Sequence, residues 1–170
     1  MKRTENQARG IGQYAIDFLA GRLGMPSEAT LSRVEQFHLD SIACGVAALA
    51  TGTKAPRILR EEALDYRVSG AAAGATLLGS KVRVSPEKAV VANCAAVREL
   101  DANGTNFGYN PRTGNCRGEF GHNDFYPVVV AAAQQAGCDG RRTLLAMVCL
   151  DEIRGRLAEV FGLKDYKIDH

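Results

Sequence analysis

One stretch of the chain, residues 98–127, gathers side chains that suit acid–base chemistry and anion binding. It also holds five of the chain's 18 glycines. Between about residues 102 and 126 the spacing of apolar residues fits neither a helix nor a strand. Alanine-rich apolar sequence flanks the stretch on both sides. A long irregular loop between packed helices is a frequent location for binding and catalysis. We therefore expect the functional site in this loop.

His122 is the candidate proton carrier, because the unperturbed pKa of histidine, about 6.5, suits proton transfer near neutrality. Asp101 and Asp124 are the carboxylates that could orient this imidazole or act as bases themselves. Thr105 offers a hydroxyl that could position a substrate or a water molecule. The acid–base candidates are therefore His122, Asp101 and Thr105, with Asp124 close by in sequence.

Arg112 and Arg117 are candidate substrate-binding residues of the same loop, together with Asp124. Guanidinium groups clamp carboxylates through paired hydrogen bonds. Combined with a nearby acid–base pair, such a clamp suits proton abstraction next to a carboxylate, with loss or return of a leaving group. This chemistry covers dehydration, decarboxylation and epimerisation of small polycarboxylic acids.

Several of these residues have a structural alternative. Asp101 could terminate the helix before the loop, and Asp124 could cap the helix that Pro127 opens. The two arginines could be solvated loop charges. Cys116 is disfavoured as a nucleophile, because no second histidine lies close to it in sequence. The His122–Asp124 spacing resembles a metal-ligand pair, but no fourth ligand is evident beside Asp101, so we predict no metal.

Composition excludes several other classes of function. The chain is 46% hydrophobic and 24% charged with a net charge of +2, so nucleic acid is not an expected partner. No apolar run is long enough to cross a bilayer, and the N-terminus lacks the apolar core of a secretory signal. The five cysteines are widely spaced and form no CxxC pair, which disfavours zinc and disulfides and favours the cytoplasm.

The pattern of the remaining chain predicts an all-α domain over residues 1–170. Apolar spacing, capping residues and glycine or proline breaks predict five or six helices, with two short strands or an extended crossing near 75–84. The predicted helices cover residues 11–22, 28–50, 56–69, 86–101, 127–136 and 141–161.

Two features outside the loop are interpreted as structural. His38 is expected to be a half-buried helix residue bonded to a local partner. Gly70, Gly74 and Gly79 are not expected to cradle a phosphate, because no GK[ST] sequence follows them and no strong strand precedes them.

Several helices are apolar on more than one side and so need more neighbours than this chain supplies. We expect the chain to belong to a longer one or to associate tightly.

The loop and its neighbours resemble the MmgE/PrpD family, which includes 2-methylcitrate dehydratase, cis-aconitate decarboxylase and iminodisuccinate epimerase. The resemblance runs from about Phe37 to the last residue. It rests on LDSIACGVAALATG, ATLLGS, SPEKAVVANCAAVRELD, the N-G-T and G-H steps of the loop, VVVAAAQ and LDEIRGRLAEVF. It implies the family's helical domain, usually a homodimer, without metal or organic cofactor. It also implies that Asp101, Thr105 and His122 lie at the active site.

The sequence departs from the family pattern in four ways. Gly104 stands where the family commonly has aspartate, and Asn123–Asp124 follow His122 in place of proline and serine. The insert between Thr105 and His122 is longer than in many members, and we expect the lid domain that the resemblance implies to lie outside residues 1–170. Two hypotheses follow. The chain is the N-terminal part of a lyase or isomerase whose lid comes from further sequence or a second chain, or it is a non-catalytic helical partner subunit.

Overall fold

The computed structural model describes residues 6–69, 74–104, 109–110, 112, 114–116 and 122–160. Within these ranges the chain is mostly helical, which confirms the predicted all-α class. None of the helices is long and apolar enough to cross a membrane. The six helices of the described ranges are α1 (Gln7–Leu19), α2 (Glu28–Ala50), α3 (Lys54–Ala63), α4 (Pro86–Arg98), α5 (Tyr126–Ala136) and α6 (Gly140–Val160).

The long second helix was predicted correctly at both ends. Ser27 caps α2 by accepting a hydrogen bond from the Thr30 amide, and Gly52 follows the helix in a left-handed conformation. The other predicted bounds were less accurate. Because Asn6 supplies a cap that accepts from the Arg9 amide, α1 begins four residues before the predicted start at residue 11.

The third helix was predicted wrongly at both ends. It begins at Lys54, two residues before Pro56, and ends at Ala63, where a 3-10 turn (Leu64–Tyr66) replaces the last predicted turn. Arg67 then forms a β-bridge with Val84, which draws the chain away from the helix axis. The fourth helix also ends early, at Arg98 instead of residue 101.

The hairpin near residues 75–84 is confirmed as two antiparallel strands. In this hairpin β1 (Ala75–Thr76) pairs with β2 (Arg83–Val84), with Ala75 opposite Val84. A second antiparallel pair, β3 (Tyr109–Asn110) with β4 (Asn115–Cys116), lies inside the loop that was predicted to be irregular. A strand of two residues is too short to show the alternation of apolar and polar side chains by which strands are recognised in sequence.

The described core divides into two clusters. One cluster joins the hairpin to α4 through Leu77, Val84, Ala89 and Ala92. The other joins α2, α5 and α6 through Val34, Tyr126, Met147 and their neighbours. Helix α2 contacts both α4 and α6, so it lies between the two clusters. Cys44, Cys94, Cys138 and Cys149 are free thiols.

Gly74 is the position where the first cluster tolerates no side chain. A β-carbon at residue 74 would overlap the Val84 carbonyl oxygen and the Val68 side chain. Because a backbone oxygen of the hairpin cannot move aside cheaply, we expect Gly74→Ala to destabilise the fold by about 2 kcal/mol. Urea unfolding measures this loss. Gly12→Ala is the matched control: it lies in α1 with open space around it and should stabilise by about 0.5–1 kcal/mol.

Candidate functional site

A network of buried amides and half-buried carboxylates holds the two ends of the loop against α2. Asp40, on α2, accepts hydrogen bonds through Oδ2 from the Gly104 amide at 2.8 Å and from Asn123 Nδ2 at 3.0 Å. Asn123 is fully buried, and its Nδ2 also donates to the Phe37 carbonyl at 2.7 Å. The carboxylate of Asp40 therefore joins the start of the loop to its end.

Asn103 completes this amide network from the other side. Its Nδ2 donates to Asn123 Oδ1 at 2.8 Å and to Asp124 Oδ1 at 2.6 Å. The Ser41 hydroxyl donates to the Asn123 carbonyl at 3.2 Å. Because buried polar groups are costly when unpaired, these bonds specify one arrangement of residues 103–104 and 122–124. The loop between them is thus anchored at both ends.

Arg98, the last residue of α4, connects two of the predicted site carboxylates. Its Nη1 donates to Asp101 Oδ1, and its Nε lies 3.4 Å from Asp124 Oδ2. The Asp124 side chain is largely buried, and this burial raises the pKa of its carboxyl, while the Asn103 hydrogen bond and the Arg98 charge oppose the rise. One guanidinium therefore holds an exposed and a half-buried carboxylate together.

Asp101 combines exposure with an unusual backbone. Its side chain is 67% exposed, and its φ of 48° makes it the only non-glycine residue with positive φ in the described ranges. Left-handed backbone is uncommon outside glycine and costs free energy that the surrounding structure must supply. The Asp101 amide donates to the Arg98 carbonyl at 3.0 Å, so this residue also ends the helical chain path. The helix-terminating alternative for Asp101 is therefore compatible with a functional role.

His122 lies on the inner side of the loop end. It is 2% exposed, and its ring meets Phe37 edge to face at a centroid distance of 4.4 Å and Tyr126 at 6.1 Å. Its carbonyl accepts a hydrogen bond from Arg154 Nη1 at 2.7 Å, and the Arg154 guanidinium stacks over the Phe125 ring. The imidazole is thus held between α2 and α5 by packing on two aromatic rings.

The predicted site residues fall into three groups. Asp101 and Asp124 are brought to one guanidinium, while His122 packs deeper, against α2 and α5. Arg112 is exposed at the turn between β3 and β4. Thr105 and Arg117 lie outside the described residues, so their places in the site stay predictions. No three His, Cys, Asp or Glu side chains of the described ranges could hold a metal ion together.

One structural alternative was wrong, and another was confirmed only in part. Asp124 does not cap α5: the residue before that helix is Phe125, no side chain caps it, and residues 122–125 form a 3-10 turn. The Asp124 carboxylate is used by Asn103 and Arg98 instead. His38 is half-buried on α2 as expected, but its buried Nδ1 has no hydrogen-bond partner within the described residues, so the expected local bond is not made through Nδ1. Burial lowers the pKa of His38, which favours its neutral form.

Sequence reasoning missed the residues that build the network. Asp40 carried a usable signal: it lies three residues after Phe37 and four before Cys44, so it shares a helical face with apolar positions. A carboxylate on such a face needs buried partners. Asn123 was noticed only as a departure from a family motif, and Asn103 was not noticed at all. Neither residue has a helical period around it that would reveal burial.

A second buried polar pair lies behind the site. The Tyr126 hydroxyl donates to Asp151 Oδ2 at 2.7 Å, joining α5 to α6. Burial is the main cause that raises the pKa of Asp151 to about 6, against the lowering effects of the Tyr126 hydrogen bond and of Arg154. Because the folded state binds this proton more tightly than the unfolded state, stability falls as the pH rises from about 4 to about 6.

We expect Asp151→Asn to remove that pH dependence while keeping an acceptor for Tyr126. The stability of the variant relative to the parent should grow by about 1 kcal/mol between pH 5 and pH 7 and stay constant above pH 7. Urea unfolding at several pH values measures this difference. Glu152→Gln is the neighbouring exposed control, and an equal slope in both variants would refute the assignment to Asp151.

A cleft of about 210 Å³ lies next to the network. It is bounded by α2, the hairpin turn, α4 and α5, and it shares Ser41 with the network. Its lining includes no Asp, Glu, Lys or Arg side chain. A charged carboxylate would find no partner charge there, so the loop mouth at Asp101 and Arg98 is the better candidate for anion chemistry.

The fold and the site together define an all-helical domain whose polar loop is anchored on a central helix. The sequence profile of the MmgE/PrpD N-terminal domain matches residues 17–170, so the chain belongs to the MmgE/PrpD family. Members of this family are dehydratases or related enzymes. The match begins before Phe37, where the resemblance by motif begins, and includes the end of α1. No solved structure matches the chain.

Proposed function

We propose that the chain supplies the acid–base part of the active site of a cofactor-independent lyase or isomerase. The substrate would be a small di- or tricarboxylic acid, and the nearest activity is that of 2-methylcitrate dehydratase. His122, Asp101 and Thr105 would be the catalytic residues, and Arg112, Arg117 and Asp124 would bind substrate. The lid that completes the site would come from further sequence or from a second chain in the cytoplasm.

The observation that carries this proposal is the geometry of Asp101. Asp101, an exposed residue with positive φ, lies at the loop mouth and is linked through Arg98 to the half-buried Asp124. Backbone strain of this kind is concentrated at functional sites, where surrounding structure maintains it. The amide network provides that surrounding structure. Asn103 and Gly104, two and three residues after Asp101, are hydrogen-bonded to Asn123 and Asp40.

In the proposed reaction, a base removes the proton from the carbon next to a substrate carboxylate. The carboxylate takes up the negative charge that develops, and the arginines of the loop stabilise it. A second group gives a proton to the leaving hydroxyl in a dehydration, or returns a proton to the carbon in an epimerisation. Asp101 and His122 are the two proton carriers, and the Thr105 hydroxyl positions the substrate.

Turnover assays with 2-methylcitrate, cis-aconitate and iminodisuccinate test this proposal. The chain would be assayed with its lid domain, or with any second chain that copurifies with it. We expect turnover of one of these acids. Asp101→Asn should lower the turnover rate by about 100-fold or more. Asp65→Asn, in the 3-10 turn after α3, is the matched control. Full activity of Asp101→Asn would remove Asp101 from the mechanism.

A second candidate function is a non-catalytic helical partner subunit of the same fold. It is favoured by Asn123, which follows the candidate histidine and whose side-chain amide is engaged by Phe37, Asp40 and Asn103. A side-chain amide whose hydrogen-bonding groups are engaged within the protein is not available to bind a substrate. If the assembled complex neither turns over nor binds any of the three acids by calorimetry, this second function replaces the first.

A further inference from the structure

The buried amide of Asn103 is followed directly by Gly104, and this pair is the only Asn–Gly step in the chain. In such a step the glycine nitrogen can attack the asparagine Cγ, because no side chain on the glycine hinders the approach. The attacking nitrogen loses its proton and closes a five-membered succinimide ring. The Cγ–Nδ2 bond breaks, and the amino group takes up a proton and leaves as ammonia. Water then opens the ring at either carbonyl carbon, which yields aspartate or isoaspartate.

In the folded chain both reacting groups are held by other partners. The Gly104 amide donates to Asp40 Oδ2 at 2.8 Å, and this neighbouring negative charge disfavours the deprotonated amide. Asn103 Nδ2, the leaving group, donates to Asn123 Oδ1 at 2.8 Å and to Asp124 Oδ1 at 2.6 Å. Since the glycine N–H is lost and Nδ2 departs, these hydrogen bonds must break during the reaction.

The surroundings of Asn103 also lack what the reaction needs. Asn103 is 4% exposed, so water has little access to its side chain. Its Oδ1 is buried and has no hydrogen-bond donor within the described residues. The attack places a negative charge on this oxygen, and a buried oxyanion without a donor is costly. Asn103 is therefore protected while the start of the loop, residues 103–104, stays bound to the network.

We propose that Asn103 is a deamidation site whose reaction is controlled by opening of the start of the loop, and that the reaction releases this segment permanently. The aspartate product has no N–H to donate, and its carboxylate would face the Asn123 and Asp124 oxygens that the amide now binds. Arg98 contacts Oδ2 of Asp124, so it does not replace the donor lost at Oδ1. The isoaspartate product also lengthens the backbone by one carbon atom.

Peptide mapping by mass spectrometry tests the control of this reaction. The full chain would be incubated at mildly alkaline pH, folded or unfolded in guanidinium, and then digested with trypsin. Asn106 and Asn110 lie in the same tryptic peptide as Asn103, and Asn110 precedes a proline, which has no N–H to lose. We expect Asn103 to react fastest of the three in the unfolded chain. In the folded chain its rate should be about 100-fold lower or less, because the start of the loop must first open.

Asp40→Asn should raise the rate in the folded chain by about tenfold, because it removes the charge that holds the Gly104 amide. The rate in the unfolded chain should not change. Glu35→Gln, the same exchange at an exposed position of α2, is the matched control and should alter neither rate. If circular dichroism showed Asp40→Asn to be unfolded, Ser41→Ala would replace it with the same expected direction, because it removes only the hydrogen bond to the Asn123 carbonyl.

Asn103→Asp tests the consequence of the reaction. It should raise the equilibrium constant of unfolding by about 10- to 100-fold in urea experiments, because two buried acceptors lose their donor. Asn6→Asp, at the exposed cap of α1, keeps its acceptor oxygen and should have little effect. Equal rates in the folded and unfolded chain, no change of rate in folded Asp40→Asn, or an Asn103→Asp chain as stable as the parent would each overturn the proposal. None of these measurements depends on the proposed activity.

Discussion

Replacing His122 by glutamine is expected to lower turnover of the carboxylic acid substrate by about 100- to 10,000-fold. Glutamine keeps hydrogen-bonding capacity but cannot carry a proton at neutral pH. The loss should appear in kcat more than in KM, because the proposed role is proton transfer and not binding. Steady-state kinetics on the assembled enzyme measure both quantities.

His38→Gln is the matched control for this experiment. Both imidazoles lie beside the Tyr126 ring, and both residues are at least half-buried, but His38 lies on α2 outside the loop. We expect His38→Gln to change stability with little effect on turnover. If the two variants lose turnover equally, the loss reflects packing around Tyr126, and His122 is not the proton carrier. A pH–rate profile that keeps its shape in His122→Gln would lead to the same conclusion.

The second large effect is expected at Asn123. Asn123→Leu has a similar volume but leaves the Asp40 carboxylate, the Phe37 carbonyl and the Asn103 amide each without one of their partners. Removing one member of a buried charged network costs about 3–5 kcal/mol. We therefore expect a loss of stability of this size in urea unfolding, larger than that of any other substitution considered above.

Gln36→Leu provides the matched comparison, because Gln36 is exposed on α2, one residue before Phe37. Its effect should stay within about 0.5 kcal/mol. Asp40→Asn offers a second comparison, because it keeps the shape and one acceptor oxygen while it removes the charge. If Asn123→Leu is no less stable than Gln36→Leu, the amide network does not anchor the loop.

The proton transfers and the anchoring of the loop are separate contributions to the site. His122→Gln should remove activity from a folded chain, whereas Asn123→Leu should lower stability and activity together. A variant series that separates the two effects also distinguishes the proposed enzyme from the partner subunit. In the partner subunit the two substitutions would alter stability and association only.

Much of the helical fold follows from the sequence, because capping residues and apolar spacing are local signals. Ser27 and the apolar positions from Leu31 to Ala48 specify α2 without information from the rest of the chain. The hairpin was also predictable, since glycine and β-branched residues bound it. Helix ends that depend on distant contacts, such as Ala63 and Arg98, were not. Tertiary contacts, and not local helix propensity alone, determine the residue at which these helices end.

The candidate site divides in the same way. The sequence by itself determined that residues 98–127 hold an imidazole, carboxylates and guanidinium groups in a non-periodic stretch. Only the tertiary structure showed that Asp40 on α2 binds both ends of that loop, and that Arg98 joins Asp101 to Asp124. The physical reason is distance along the chain: a hydrogen bond between residues 64 or 83 positions apart leaves no periodic trace in sequence, because it depends on how the helices pack.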